Sequence, residues 1–454
     1  MVWALKGVRN RLIKKTFSRY NYYSNMLNKT QWYPMERLVE MQNQKLRHIV
    51  NYAYENVPYY HTLFNSLKLK PGDIQTQADL QYLPVLEKET VRQNPEAFVS
   101  VKKRRSFLYK CYTSGTTGKP LTIYRDLENV WFEHATLQRQ WAWGGLDYTD
   151  YYATLKGEML MPKHRSTPPY WKNNPAEHKL MMSIFHLSGR TVNDYLFALY
   201  KFKPTAIEGY PSTVHVLARL MDEHQIRFPV RAVFTSSEML TEEQRDLIVK
   251  VFDAPVYDFF GSVERVAAIH TCEHGNYHVL PEYSVVEYLP INGNNGKGYF
   301  QLVGTTLNNE AMPLLRYRIG DVVVPSAKAC SCGREMPVIQ QIDGRQDDYI
   351  LTPTGKWITR LDFIFKSVPG IVEGQIVQTE IDQVIVKIVP DSDYKKENGT
   401  MVKAKLADRL RDNISIQVQE VSSIPRGGRG KFRGIISYVH RGGSENGGGE
   451  KDAN

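Results

Sequence analysis

The chain has 454 residues, more than one ordinary hydrophobic core organises, so two or three structural units are expected. Its 42% hydrophobic and 23% charged content fits a soluble globular protein; no run of eighteen apolar residues offers a membrane span, and four cysteines argue against a disulfide scaffold and for a reducing cytoplasm. The net charge of +10 would suit nucleic acid, but residues 1–35 hold seven Lys/Arg and no acid, leaving 10 − 7 = +3 for the rest, so no nucleic-acid partner is expected.

The opening segment, MVWALKGVRNRLIKKTFSRY, mixes Trp3, Leu5, Val8, Leu12, Ile13 and Phe17 with basic side chains. Lys6, Arg9, Arg11, Lys14 and Lys15 interrupt any apolar core that a secretory signal would need. It reads as an amphipathic helix docked on its own domain, with peripheral contact of residues 1–20 to an anionic membrane as the other reading. From Glu36 the stripe Leu38, Met41, Leu46, Ile49, Val50 and Ala53 predicts a helix that ends at Asn56-Val57-Pro58. Residues 105–125 read as strand, loop, strand. Residues 193–223 read as helix, Pro-containing break and second helix, the latter beginning near Pro211-Ser212. AVFTSSEML and PVYDFFGS read as buried strands with the helix TEEQRDLIVKVF between them. This α/β alternation places a ligand at the carboxyl ends of the strands.

After Gly344 the pattern changes to a small α+β unit, with QVIVKIVP and ISIQVQEV as strands and MVKAKLADRLRDN as a helix. The expected organisation is a basic segment 1–35, a large domain 36–343, a hinge 344–349, a C-terminal domain 350–440, and a Gly-rich disordered tail 441–454.

The stretch CYTSGTTGKP, residues 111–120, looks like a nucleotide loop. A Walker A loop needs four residues between its glycines and a hydroxyl after the lysine. Here two residues separate Gly115 from Gly118, and Pro120 follows Lys119. The elements of phosphate binding are nonetheless present: Gly115 and Gly118 permit close backbone approach, Ser114, Thr116 and Thr117 supply hydroxyls, and Lys119 supplies charge. Further on, Cys272 with His274 or His278, then Cys330 and Cys332, could close a tetrahedral Cys₃His zinc site; free thiols are the competing reading of that pattern. Cys111 reads as a core residue beside the loop.

Five segments in order resemble the adenylate-forming superfamily: YTSGTTGKP; FFGSVE (259–264), its aromatic-Gly-x-x-Glu motif; YRIGD (317–321); the hinge GRQDD (344–348); and the lysine loop PRGGRGKFR (425–433). LRHIVNYAYENVPYYHTLF and LQYLPVLEKETVR resemble the phenylacetate–CoA ligase group, in particular its CapK-like members associated with polysaccharide biosynthesis. The resemblance implies an α/β fold: a large N-terminal domain with mixed sheets and flanking helices, and a small mobile α+β lid.

It also implies roles. A carboxylate attacks the α-phosphorus of ATP, acyl-adenylate forms and pyrophosphate leaves. Residues 114–119, Thr117 among them, would hold the β- and γ-phosphates, Glu264 a Mg²⁺ ion, and Lys431 the reacting carboxylate and phosphate. Asp321 would bind the ribose with Arg345 assisting, and Ser236, Ser237, Glu238, Phe259, Phe260 and Gly261 would border the adenine. Phe260 stands where Tyr is common, which removes a phenolic hydrogen bond. Asp347 resembles the residue about which the lid turns, removing Lys431 after the first step. The branch's Cys/His pattern favours His278 over His274 and a structural Zn²⁺ on Cys272, His278, Cys330 and Cys332. Aromatic and imidazole residues between 131 and 215, among them Trp131, His134, Trp141, His186 and Tyr210, are candidates for the acyl pocket, although aromatic stripes on helices more often pack cores.

The expected activity is therefore an AMP-forming ligase passing its acyl group to coenzyme A. An amine or hydroxyl acceptor on a sugar or amino acid, AMP transfer to a cofactor, and a non-catalytic nucleotide-binding module are the alternatives.

Overall fold

The structure is a computed structural model that describes residues 18–113, 121–147, 149–291, 298–345, 350–354, 357–358, 361–365, 368–391, 393–426 and 432–439. The expected phosphate loop (Ser114, Gly115, Thr116, Thr117, Gly118 and Lys119), the hinge residue Asp347, Lys431, residues 1–17 and the tail 441–454 lie outside the described residues, and of Arg345 only the backbone is described. The chain divides into two compact units, with the boundary after Asp343.

The first unit opens with helices α1 (Ser18–Thr30), α2 (Met35–Asn56) and α3 (Pro58–Ser66). In α2 the residues Leu38, Leu46, Ile49, Val50 and Ala53 of the expected stripe are buried, joined by Gln42 and Tyr52, while Met41 is only half-buried. Pro58 stops α2 and begins α3, because its missing N–H matters least in a first turn. Helix α4 (Lys88–Gln93) precedes the hairpin of β1 (Tyr109–Tyr112) and β2 (Thr122–Arg125). Asp126 then caps α5 (Leu127–Trp143), its carboxylate accepting from the Asn129 N–H at 2.9 Å.

The strands that follow are β3 (Tyr152–Lys156), β4 (Trp171–Asn174), β5 (Lys179–Ser183), β6 (Ala206–Gly209), β7 (Ala232–Ser236) and β8 (Val256–Gly261). Helices α6 (Val192–Phe202), α7 (Pro211–Glu223) and α8 (Glu242–Phe252) connect β5 to β6, β6 to β7 and β7 to β8. Then come β9 (Ala268–Thr271), β10 (Tyr277–Val279), β11 (Ser284–Pro290), β12 (Phe300–Thr306), β13 (Tyr317–Ser326) and β14 (Val338–Arg345). Among the described residues these strands form a twelve-stranded sheet in the order β11-β12-β13-β14-β10-β9-β8-β7-β6-β3-β5-β4.

The sheet has two characters. From β5 through β3, β6 and β7 to β8 the pairs are parallel; β8–β9, β9–β10, β10–β14, β12–β13 and β11–β12 are antiparallel. The parallel strands are buried on both faces, as parallel strands usually are. On one face Leu155, Ile207, Val233 and Val256 pack against α6, α7 and α8 through Leu199, Leu217 and Val251. On the other, Ala206, Ala232, Phe234 and Tyr257 meet Trp141 of α5. Strand β6 lies inside what the sequence suggests is a plain break between two helices. Its four residues, AIEG, are too few to show a period, and only pairing with β3 and β7 extends them.

The second unit contains the short hairpin of β15 (Ile350–Leu351) and β16 (Trp357–Ile358). Its main sheet, in the order β19-β18-β17-β20, is built from β17 (Ile371–Glu380), β18 (Gln383–Pro390), β19 (Ser415–Glu420) and β20 (Ile435–Ser437). Helix α9 (Lys396–Leu410) buries Val402, Leu406 and Leu410 with Ile376, Val386 and Ile388 of that sheet. It starts before the expected MVKAKLADRLRDN segment, because Asn398 accepts the Lys395 N–H at 2.8 Å and secures an earlier first turn.

Candidate active site and metal centre

The parallel strands end at one edge, at Lys156, Gly209, Ser236 and Gly261, the edge at which open α/β sheets bind ligands. Strand β8 delivers the aromatic-Gly-x-x-Glu motif there. Gly261 leaves room for the Phe259 ring: a Cβ on it would fall 2.5 Å from that ring, which would have to move. The turn after β8 closes with Arg265 N–H donating to Ser262 O at 3.2 Å, and Arg265 adopts a left-handed backbone (φ 61°). For a non-glycine residue that costs about 1–2 kcal/mol. The side chain explains why it is held: Arg265 pairs with the buried Glu133 of α5, whose other oxygen accepts from Tyr283 Oη at 2.5 Å. Burial opposes the Glu133 charge, yet Arg265, Arg125 and the Tyr283 hydroxyl keep its carboxyl below the usual range.

That turn presents Glu264, which is itself mostly buried. Tyr317 Oη donates to Glu264 Oε1 at 3.2 Å, and Lys88 Nζ stands 3.9 Å from the same oxygen. Lys88 arrives because Leu86 pairs with the start of β13: Leu86 N–H donates to Arg316 O at 2.8 Å and Arg318 N–H to Leu86 O at 3.0 Å. Three segments far apart in sequence thus place a carboxylate, a phenol and an ammonium together.

Asp321 follows on β13. Val303 pairs with Arg318 and Gln301 with Val322, so Ile319, Gly320 and Asp321 stand opposite Leu302 alone. Such a bulge breaks the ladder and re-aims side chains, and Gly320 supplies the left-handed conformation it needs (φ 88°). Glycine in YRIGD is therefore a backbone requirement that turns Asp321 out of the regular pleat.

Ser236 ends β7, opposite Phe259 of β8. Ser237 is left-handed (φ 74°), and Glu238 accepts the Ser212 N–H at the start of α7 at 3.2 Å. Glu238 thus ties the β7 end to the first turn of α7. Phe259 meets His270 edge-on at 4.9 Å, while Phe260 packs on the opposite sheet face with Ile269 and Ile339. The base of the expected phosphate loop is closed on β1 and β2, where Thr113 N–H donates to Leu121 O and Leu121 N–H to Thr113 Oγ1, both at 3.0 Å.

A second cluster lies on β9, β10 and the loop before β14. Cys272, His278, Cys330 and Cys332 bring their ligand atoms within 4.8 Å of one another. Cys272 Sγ and Cys330 Sγ are 3.6 Å apart; Cys332 Sγ and His278 Nε2 are 3.4 Å apart. Tetrahedral zinc would set two sulfurs about 3.8 Å apart and a sulfur and nitrogen about 3.5 Å apart, so the donor set fits that ion. Burial pushes the Cys272 thiol up to about 12, so a thiolate there needs a cation beside it. The second nitrogen of His278, Nδ1, lies 3.3 Å from Met336 O; donating there would leave Nε2 as the ligand atom. His274 turns away to Ser331 Oγ at 2.8 Å. With four protein donors, an ion held here would have no open position, as in a structural centre. Its surroundings agree: Arg334 grips Glu273 at 2.8 and 2.9 Å and lies over the rings of Trp32 and Trp143.

A family model described as the CapK C-terminal domain matches residues 350–438. Protein CapK of Staphylococcus aureus is 28% identical over 416 residues, covering 88% of this chain and 90% of that protein. The phenylacetate-coenzyme A ligase of Thermus thermophilus is 24% identical over 438 residues, covering 89% and 97%. Over most of its length the chain is therefore similar to CapK and to phenylacetate-coenzyme A ligases. Among solved structures, 2-hydroxyisobutyryl-CoA ligase in its postadenylation state, in complex with R3-HIB-AMP, has the same fold, with TM-score 0.69, 18% identity and coverage of 89% of this chain and 90% of that one.

Within this fold the aromatic candidates for the acyl pocket separate. Trp141 stacks flat on Phe234 at 4.6 Å in the core cluster beneath α5. His186 has both ring nitrogens engaged, with Ser183 Oγ at 2.8 Å and Pro162 O at 3.2 Å, and stacks on Tyr170. These two rings hold structure together. Trp131 is buried in another cluster, with Tyr20 and Phe132. Tyr210 is at the strand edge, its N–H donating to Leu155 O at 3.2 Å where α7 begins. Two contributors have no conspicuous sequence signal. Lys88 is one lysine in the charged run EKETVR, and Tyr317 reads as a motif aromatic, not as the partner of a carboxylate.

Proposed function

We propose that this protein activates a carboxylic acid with ATP, forming an acyl-adenylate and releasing pyrophosphate, and then transfers the acyl group to the thiol of coenzyme A. The observation that carries this reading is Glu264 at the sheet edge, oriented by Tyr317 and faced by Lys88. An acid and a triphosphate repel each other, so the reaction needs positive charge fixed where the two meet.

Glu264 would hold Mg²⁺, which supplies charge to the polyphosphate. Lys88 sits where its ammonium can neutralise a phosphate oxygen once the nucleotide separates it from Glu264. Tyr317 keeps the carboxylate in one rotamer. Asp321, turned out by its bulge, would accept the ribose hydroxyls, and Phe259 offers a ring face to the adenine. Residues 114–119 would restrain the leaving pyrophosphate, and Lys431 would bridge the attacking carboxylate and the α-phosphate. Zn²⁺ on Cys272, His278, Cys330 and Cys332 would serve the fold alone. The CapK likeness supports a setting in polysaccharide biosynthesis, with an amino sugar as the acceptor to try after coenzyme A.

The test is pyrophosphate release over a panel of carboxylic acids, with and without coenzyme A, for wild type and Lys431→Ala. Acid-dependent release that Lys431→Ala abolishes while ATP binding survives supports adenylation. Thioester formation identifies the thiol acceptor; release indifferent to coenzyme A moves the acceptor to an amine or hydroxyl. No release with any acid overturns the reading.

A further inference from the structure

We propose that residues 104–112 form a docking surface for an anionic lipid membrane, in which Arg104 and Lys110 meet the headgroups and Phe107 enters among them. The proposal is independent of the acid-activation reading and of the basic segment at residues 1–20.

The run VKKRRSFLYK, residues 101–110, holds five Lys/Arg and no acid. Lys103 is engaged by Asp126 and Glu310, each at 2.8 Å, and Arg105 pairs with Glu96. Lys102, Arg104 and Lys110 are exposed and have no carboxylate partner among the described residues. Three contacts make the far end of the run one patch. The Arg104 guanidinium lies 6.0 Å from the centre of the Phe107 ring, and Arg105 and Lys110 each lie 5.4 Å from that of Tyr124. Phe107 is 69% exposed, and Tyr112, on the β1 face that carries Lys110, is 44% exposed.

The backbone is set before any partner arrives. Phe98 and Val99 are buried ahead of the run, and Leu108 packs on the same core. Phe107 N–H donates to Arg104 O at 3.0 Å and Leu108 N–H to Arg105 O at 3.1 Å, so the turn that sends Leu108 inward sends Phe107 out. A single exposed phenyl is ordinary on a protein surface. A phenyl and a phenol set among cations that lack carboxylate partners is the composition that an acidic membrane interface binds. The ammonium and guanidinium groups are drawn to the negative surface, and the rings take the headgroup level. Docking then costs little ordering, because the turn is already formed.

The experiment is co-sedimentation of the full-length protein with sucrose-loaded vesicles, either phosphatidylcholine alone or phosphatidylcholine with about 40% phosphatidylglycerol, at about 0.1 M salt. Wild type should bind the anionic vesicles about tenfold or more tightly than the neutral ones. Arg104→Glu combined with Lys110→Glu should cut anionic-vesicle binding about tenfold or more with residues 1–20 intact, and Phe107→Ser, which keeps the charge, should cut it about three- to tenfold. Both variants should melt within about 2 °C of wild type, because the altered side chains are exposed. Equal binding of wild type to the two vesicle types overturns the proposal. So does binding that survives the charge reversal, which would assign the contact to residues 1–20, and binding indifferent to Phe107→Ser, which would leave bare charge attraction. Retention of wild type by a single-stranded oligonucleotide or by tripolyphosphate, but by neither vesicle, overturns it as well.

Discussion

Tyr317 donates its phenolic hydrogen to Glu264 across 3.2 Å, joining two motifs fifty-three residues apart. With Lys88 at 3.9 Å on the same oxygen, the carboxylate is held between a neutral donor and a cation. If Glu264 receives Mg²⁺, Tyr317→Phe should raise the Mg²⁺ concentration for half-maximal pyrophosphate exchange about three- to tenfold with a smaller change in maximal rate. Lys88→Met should cut the rate itself by about tenfold or more, the scale of one charge-stabilising donor. Titrating Mg²⁺ in both variants separates the two effects, and an unchanged titration in Tyr317→Phe would remove it from the metal's surroundings.

The Glu133–Arg265 pair predicts a stability effect at the same place. Glu133→Ala leaves Arg265 buried without its counter-charge and should cost about 3–5 kcal/mol in urea unfolding. Because Arg265 holds the left-handed turn that presents Glu264, the variant should also lose adenylation at temperatures where it remains folded. A loss below about 1 kcal/mol would mean the pair is hydrated and does not hold the turn.

The thiol and imidazole cluster predicts one zinc ion per chain by elemental analysis. His278→Ala should lose the metal, while His274→Ala, whose ring bonds Ser331, should keep it. Chelation should lower the melting temperature by about 5–10 °C, as removal of a structural metal does. It should also shift tryptophan emission, because Arg334 beside the cluster packs on Trp32 and Trp143. Retention of full zinc by His278→Ala would overturn the ligand set.

A pH effect follows from the contacts that join His48 of α2, Lys103, Glu310 and Asp126. Glu310 accepts from His48 at 2.9 Å and from Lys103 at 2.8 Å, and Lys103 also reaches Asp126 at 2.8 Å. The His48 hydrogen bond, with Lys103, brings the Glu310 carboxyl down to about 2 from an ordinary 4.5, while Glu310 raises His48 above its ordinary 6.5. The depressed carboxylate stabilises the fold above pH 4.5 and loses that contribution as the pH falls toward about 2. The raised imidazole stabilises below 6.5 and loses its contribution as the pH rises through its folded value. Melting temperature measured from pH 3 to 9 should therefore fall on both sides of an interval between about 4.5 and 6.5, and Glu310→Gln should flatten both limbs.

The motifs were legible in the sequence because each answers a local requirement written in adjacent residues. Gly320 before Asp321 serves a bulge, Pro58 ends one helix and begins the next, and Thr241 with Gln244 forms a capping box at the start of α8. Alternation of apolar strands and amphipathic helices likewise implied an α/β sheet with its ligand at the strand ends, and five ordered segments carried the resemblance to the adenylate-forming superfamily. Trp141 and His186 show where such reading stops: an aromatic or imidazole side chain carries no local mark of what it will touch, and only the fold stacks these two on Phe234 and Tyr170. Strand β6 escaped for a related reason, since a four-residue parallel strand has no period of its own and exists through its neighbours.

What the residue order determined by itself was therefore the inventory: which hydroxyls, carboxylates, thiols and lysines are available, and which backbone positions demand glycine or proline. Convergence was left to the tertiary structure. Pairing of Leu86 with β13 brings Lys88 to Glu264, and β10 carries His278 to Cys332 while His274 points elsewhere. Local chemistry acts over a few residues of chain, whereas electrostatic and metal-ligand partnership depends on distances of a few ångströms in space, and only the folded sheet converts one into the other.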